Sequence, residues 1–192
     1  YPESSWGRSD RKQRFSTSRI YFYLTSFGFL FNHLNGLINT QDLAYAPGLG
    51  VAAFALGHVF YIIAYNIIEK PRLKDLFFVL PISAISIFIV MGTPFINVED
   101  PVMEKVLIAY AIIISWMLGK ALSNLKVNKN TFTWIVGVGS LLFLFSDLIL
   151  AIDMFGESSR LTWILCSYTY WPAQHLLAQS MYHYINDKKR HV

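Results

Sequence analysis

The chain has 192 residues, of which 54% are hydrophobic, 16% aromatic and only 15% charged; soluble domains average about 45–50% apolar and about 25% charged. The charges cluster between apolar runs, so the net charge of +4 is of the kind that sets membrane topology, and no interleaved basic and aromatic patch argues for a nucleic-acid partner. Cys166 is the only cysteine, which excludes an intrachain disulfide and a CxxC metal site.

Residues 1–19, "YPESSWGRSDRKQRFSTSR", are polar and basic and lack the apolar core of a signal peptide. They read as a cytoplasmic segment, and a chain that begins at Tyr1 is expected to be a fragment. Six runs then approach the ~20 apolar residues that a membrane-crossing helix needs. They cover residues 20–38, 47–68, 75–92, 102–122, 132–152 and 161–182. The first holds Asn32, His33 and Asn35, and the third holds Pro81, an expected kink. The fold class predicted is all-α: a polytopic transmembrane helical bundle of six spans over residues 20–184, followed by a basic tail, 185–192. The loops are too short for a second domain. With six spans, Lys70, Arg72, Lys74, Lys126, Lys129 and the termini share one side, while the other has only Arg160 in its loops and Lys105 just inside the fourth span, alongside Asp42, Glu99, Asp100 and Glu157. The positive-inside rule then places both ends in the cytoplasm.

Polar residues inside the spans carry the functional reading. Asp147, in "LLFLFSDLILAID", sits in the outer third of the fifth span, where a carboxylate costs ~2.5–3.5 kcal/mol on insertion scales. It is either an interhelical hydrogen-bond partner or a functional acid. Asp153 reads as a rim residue, and Ser146 as a backbone hydrogen-bonder. In the second span His58 shares a face with Tyr61 and Tyr65; in the sixth, Tyr170 and Gln174 are four apart, as are His175 and Gln179. Each stripe is polar glue or the wall of a pocket. Lys120, near the end of the fourth span, is expected to snorkel to the interface. No nucleophile elbow, HExxH helix, phosphate loop or dinucleotide fingerprint is present, and five histidines without metal spacing point to no metal and no cofactor.

Three blocks, "GLGVAAFALGHVFYIIAY", "LLFLFSDLILAI" and "YTYWPAQHLLAQS", resemble in order and spacing those of the YhhN family of multi-pass membrane proteins, over roughly residues 20–184. Characterised animal members of that family are lysoplasmalogenases, and its members resemble an eight-span bundle, which implies that two helices precede this chain. The resemblance implies hydrolysis of the vinyl-ether bond of a lysoplasmalogen to a fatty aldehyde and a glycerophospho-base, in the endoplasmic reticulum membrane, with a lysophospholipid as substrate. Asp147 carries over as the acidic position, with His58, Tyr61, Tyr170 and Gln174 as pocket residues. The family's second acidic motif, a GD pair, falls near Asn35 and Gly36, in "FNHLNGLIN", where this chain has no carboxylate. His33 and Asn35 lie at about the depth of Asp147 and are candidates to face it.

A vinyl ether hydrolyses when an acid protonates its β-carbon; water then traps the oxocarbenium ion as a hemiacetal. A buried carboxylic acid can supply that proton, and a second carboxylate would stabilise the cation, as in glycosidases. Two other readings stand beside this one: a catalytically impaired member that binds lysolipids, favoured by the unmatched GD carboxylate, and a small-molecule transporter, disfavoured because no inverted repeat is visible.

Overall fold

The computed structural model describes residues 17, 19–30 and 46–190. These form helix α1 (19–30), α2 (Ala46–Ile68), a 3-10 turn (Leu73–Asp75), α3 (Leu76–Gly92), α4 (Pro101–Val127), α5 (Thr131–Phe155) and α6 (Arg160–Arg190). No strand occurs among the described residues. Side chains of the loops set the helix starts. Asp100 accepts from the Val102 amide at 2.9 Å just ahead of Pro101, whose missing N–H needs no partner in a first turn. Asn130 caps α5 through the Thr133 amide at 2.8 Å, and Ser159 and Thr162 exchange bonds of 3.0 Å at the head of α6.

Four helices, α2 to α5, are long and apolar enough to cross a membrane, in keeping with a multi-pass integral membrane protein. The sixth predicted span is a single helix, α6, but it is not among those four. Of the first, residues 20–30 are helical and the rest, with His33 and Asn35, lies outside the described residues, as does Asp42 in the loop that follows. Pro81 is accommodated within α3.

Helix α4 is the centre of the bundle, packed by α2, α3 and α5, while α6 lies along α5. Helix α1 is held to α6 by Tyr21 and Ser180, whose hydroxyls are 2.9 Å apart. The α3–α4 seam is tight because Gly119 has no side chain. A Cβ there would stand 2.6 Å from Val79 Cγ2 and 2.8 Å from the Val79 backbone. Backbone cannot swing aside as a side chain can, so Gly119→Ala is expected to destabilise by about 1–3 kcal/mol. Thermal unfolding of the detergent-solubilised protein reads this, and an unchanged midpoint would mean that α3 yields freely.

Lys120 corrects the sequence reading. It does not snorkel: its side chain is fully buried and donates to Asp75 Oδ2 at 2.8 Å and to the Lys70 carbonyl at 3.1 Å. Asp75 also accepts from the Arg72 amide at 2.9 Å and from the Ser123 hydroxyl. The ammonium stays inside because its hydration is replaced by this carboxylate and carbonyl. One turn on, Asn124 donates to the Tyr65 carbonyl at 3.1 Å, a second bond to an acceptor that also takes the Glu69 amide at 3.2 Å.

Candidate functional site

Three helices converge on Asp147. It projects from α5, is 6% exposed, and lies about 24 Å along that helix from Thr131. Tyr110 of α4 donates its phenol proton to Asp147 Oδ2. His58 of α2 is fully buried and places Nε2 3.8 Å from the same oxygen.

The histidine is oriented from behind. Its Nδ1 lies 2.7 Å from the Phe54 carbonyl, and since a carbonyl only accepts, Nδ1 carries the hydrogen. In the neutral ring Nε2 is then a bare acceptor turned toward Asp147. Among the described residues neither His58 Nε2 nor Asp147 Oδ1 has a hydrogen-bond partner, although both are buried. Such groups are costly to leave unsatisfied, and their concentration at one point marks a place where a donor is received. Aromatic rings fix the imidazole on its other sides: Phe143 edge-on at 4.8 Å and 89°, and Tyr110 at 5.6 Å and 83°.

Asp147 and Tyr110 line a narrow cleft whose other walls are apolar, among them Val51, Phe54, Leu107, Leu148 and Met154. Its volume is about 50 Å³, room for a few water molecules. The arrangement therefore offers one acid, one base and one phenol donor beside an apolar channel.

The remaining sequence candidates divide. Gln174 donates to the Tyr170 hydroxyl at 3.1 Å, and its own Oε1 is buried without a partner. The Tyr170 ring rests on Phe54 at 6.2 Å and Phe143 at 5.5 Å, the same rings that hold His58. This pair thus forms a second polar layer behind the aromatic wall. Tyr61 is buried next to Tyr65 and faces the position of Gly28 on α1. His33 and Asn35 lie outside the described residues. Asp153 is half-buried at the end of α5, where it accepts from Ser158 at 2.9 Å and from Thr162, pinning the turn into α6. Ser146 is 3.6 Å from the Cys166 sulfur. Among the described residues no three His, Cys, Asp or Glu side chains gather as metal ligands.

Tyr110 escaped the sequence reading. The available signal was its being the one tyrosine of α4, set in the apolar run "VLIAYAIII", since a tyrosine in such surroundings needs an acceptor for its hydroxyl.

A family model for the YhhN family matches residues 16–181, most of the chain. No curated protein matches, and no solved structure does.

Proposed function

The chain belongs to the YhhN family, and from that premise we propose that it is a lysoplasmalogenase-like membrane hydrolase, with Asp147 as the acid. A lysoplasmalogen and water yield a fatty aldehyde and a glycerophosphoethanolamine or glycerophosphocholine. The observation that carries the reading is a buried carboxyl, flanked by an unpartnered histidine nitrogen and a phenol, that opens onto an apolar cleft.

In this mechanism the Asp147 carboxyl gives its proton to the β-carbon of the vinyl ether, and the resulting carboxylate faces the oxocarbenium ion, which it stabilises. His58 Nε2, 3.8 Å away, takes a proton from the water that attacks that cation. The hemiacetal collapses to aldehyde and free glycerol hydroxyl, and the proton held on His58 returns to Asp147. Tyr110 is a positioning residue that fixes Oδ2. In this reading His58 and Tyr110 supply the base and the fixed donor that a second carboxylate would otherwise provide. The alkenyl chain enters by parting apolar walls, with Met154, 39% exposed, at the open side of the cleft; the water already has room.

Six spans, both ends of the 20–184 region in the cytoplasm and residence in the endoplasmic reticulum membrane complete the proposal. The orientation rests on the basic character of Lys70, Arg72, Lys74, Lys126 and Lys129 at one end of the bundle, against Glu99, Asp100 and Glu157 with only Lys105 and Arg160 at the other; the endoplasmic reticulum rests on the family resemblance alone. The purified full-length protein is expected to release aldehyde from a 1-alkenyl lysophosphoethanolamine and none from its saturated 1-alkyl analogue, which has no double bond to protonate. A second reading, a lysolipid binder without turnover, draws on the narrowness of the cleft. It prevails if both lipids bind and neither gives aldehyde above the protein-free control.

A further inference from the structure

At the basic end of the bundle, remote from Asp147, lies a larger basin of about 590 Å³ between the start of α3 and the end of α4. Arg72, Lys74 and Lys126 line it together with Phe77 and Phe78, and no acidic residue is among its walls as far as the described residues form them. We propose that this basin binds the phosphate of an anionic phospholipid, with the first part of an acyl chain lying along Phe77.

The nearest carboxylate is already engaged. Asp75 is bonded to the buried Lys120 at 2.8 Å and is also 3.5 Å from Arg72 Nη2, so this one carboxylate is shared by two cations and leaves Lys74 and Lys126 uncompensated. Glu69, at the end of α2, is tied to Asn128. Among the described residues neither Lys74 nor Lys126 has a carboxylate within ion-pair distance, and Lys126 lies 5.8 Å over the Phe78 ring. Arg72 is partly engaged: Nη2 donates to Ser123 Oγ at 3.0 Å, which fixes the guanidinium at the rim, while its buried Nε has no partner. The fixed arginine and two free lysines offer the donors that a phosphodiester accepts.

A lipid rather than a free anion is favoured by the apolar side of the basin. Phe77 is 81% exposed and Leu73, at the head of the 3-10 turn, 86% exposed. Both stand at the mouth of two helices long enough to cross a membrane, where headgroups and the first methylenes meet protein. Basic residues placed only for topology would attract anionic lipid without a shaped seat. Here the cations surround a cavity with an aromatic floor.

The test titrates the detergent-solubilised full-length protein with dioleoyl phosphatidylglycerol, with dioleoyl phosphatidylcholine and with inorganic phosphate, and reads retained lipid by native mass spectrometry and the thermal midpoint. Retention of phosphatidylglycerol over phosphatidylcholine is expected, with a raised midpoint that inorganic phosphate does not reproduce. The double variant Lys74→Gln/Lys126→Gln should weaken that retention about ten-fold or more, whereas Lys129→Gln, outside the basin, should leave it within about two-fold. Equal loss in the double variant and the Lys129 variant would reduce the effect to general surface charge and overturn the site. An equal midpoint shift from inorganic phosphate alone would overturn the lipid assignment. Neither readout depends on Asp147 chemistry, so the outcome stands apart from that of the aldehyde assay.

Discussion

Asp147→Asn is expected to lower aldehyde release by about 10²–10⁴-fold, the range spanned by loss of a positioned general acid, in a protein that remains folded. The amide is nearly the same shape as the carboxyl. Its oxygen, in the place of Oδ2, can still accept from Tyr110 and lie beside His58 as that atom does, while its NH₂ takes the place of Oδ1. The variant therefore keeps the contacts of the site and loses the transferable proton. Circular dichroism and the thermal midpoint should match wild type, and substrate binding should persist. Tyr110→Phe, which removes only the group that fixes Oδ2, should cost about ten-fold. Wild-type turnover in a folded Asp147→Asn protein would remove this aspartate from the chemistry.

The largest loss of stability is expected at Lys120. Lys120→Met keeps the volume of the stem but leaves Asp75, whose side chain is 8% exposed, without its principal counter-charge. Breaking a buried pair from one side typically costs about 3–5 kcal/mol, because the remaining charge is stranded. Arg72 Nη2, 3.5 Å from Asp75 Oδ1, and the Ser123 hydroxyl keep the loss toward the lower end. The double variant Lys120→Met/Asp75→Leu should recover most of it, since removing both charges also removes their desolvation cost. Thermal or denaturant unfolding in detergent distinguishes the cases. A single variant as stable as wild type would mean that Arg72 and Ser123 suffice for Asp75.

The helices were legible in the sequence where apolar runs and caps agree. Residues 47–68 and 75–92 were predicted, and α2 and α3 cover Ala46–Ile68 and Leu76–Gly92. Helix α4 runs past its predicted end at residue 122 to Val127, because Ser123 and Asn124 are polar yet pinned inward to Asp75 and to the Tyr65 carbonyl. An apolarity criterion ends a helix at such residues; their partners, which keep it going, are on other helices. The same limit applies to the site. Asp147 and His58 stood out because each is costly at depth, whereas Tyr110 looked like one more aromatic, its acceptor lying 37 residues away. Lys120 was misread for that reason too. A lysine near a helix end ordinarily reaches for water, and only the tertiary arrangement shows a carboxylate 45 residues earlier in the chain waiting inside.

That order along the chain has a consequence for biogenesis. Synthesis runs from the amino terminus, so Asp75 is made before Lys120; Asp75 ends the 3-10 turn that leads directly into α3, and Lys120 belongs to the next helix, α4. The lysine enters apolar surroundings as the second leg of a hairpin whose first leg already presents its counter-ion. The charge can be neutralised within that hairpin, without waiting for α5 or α6, which makes the α3–α4 pair a natural unit of insertion and Gly119, at their seam, the residue that lets the legs close.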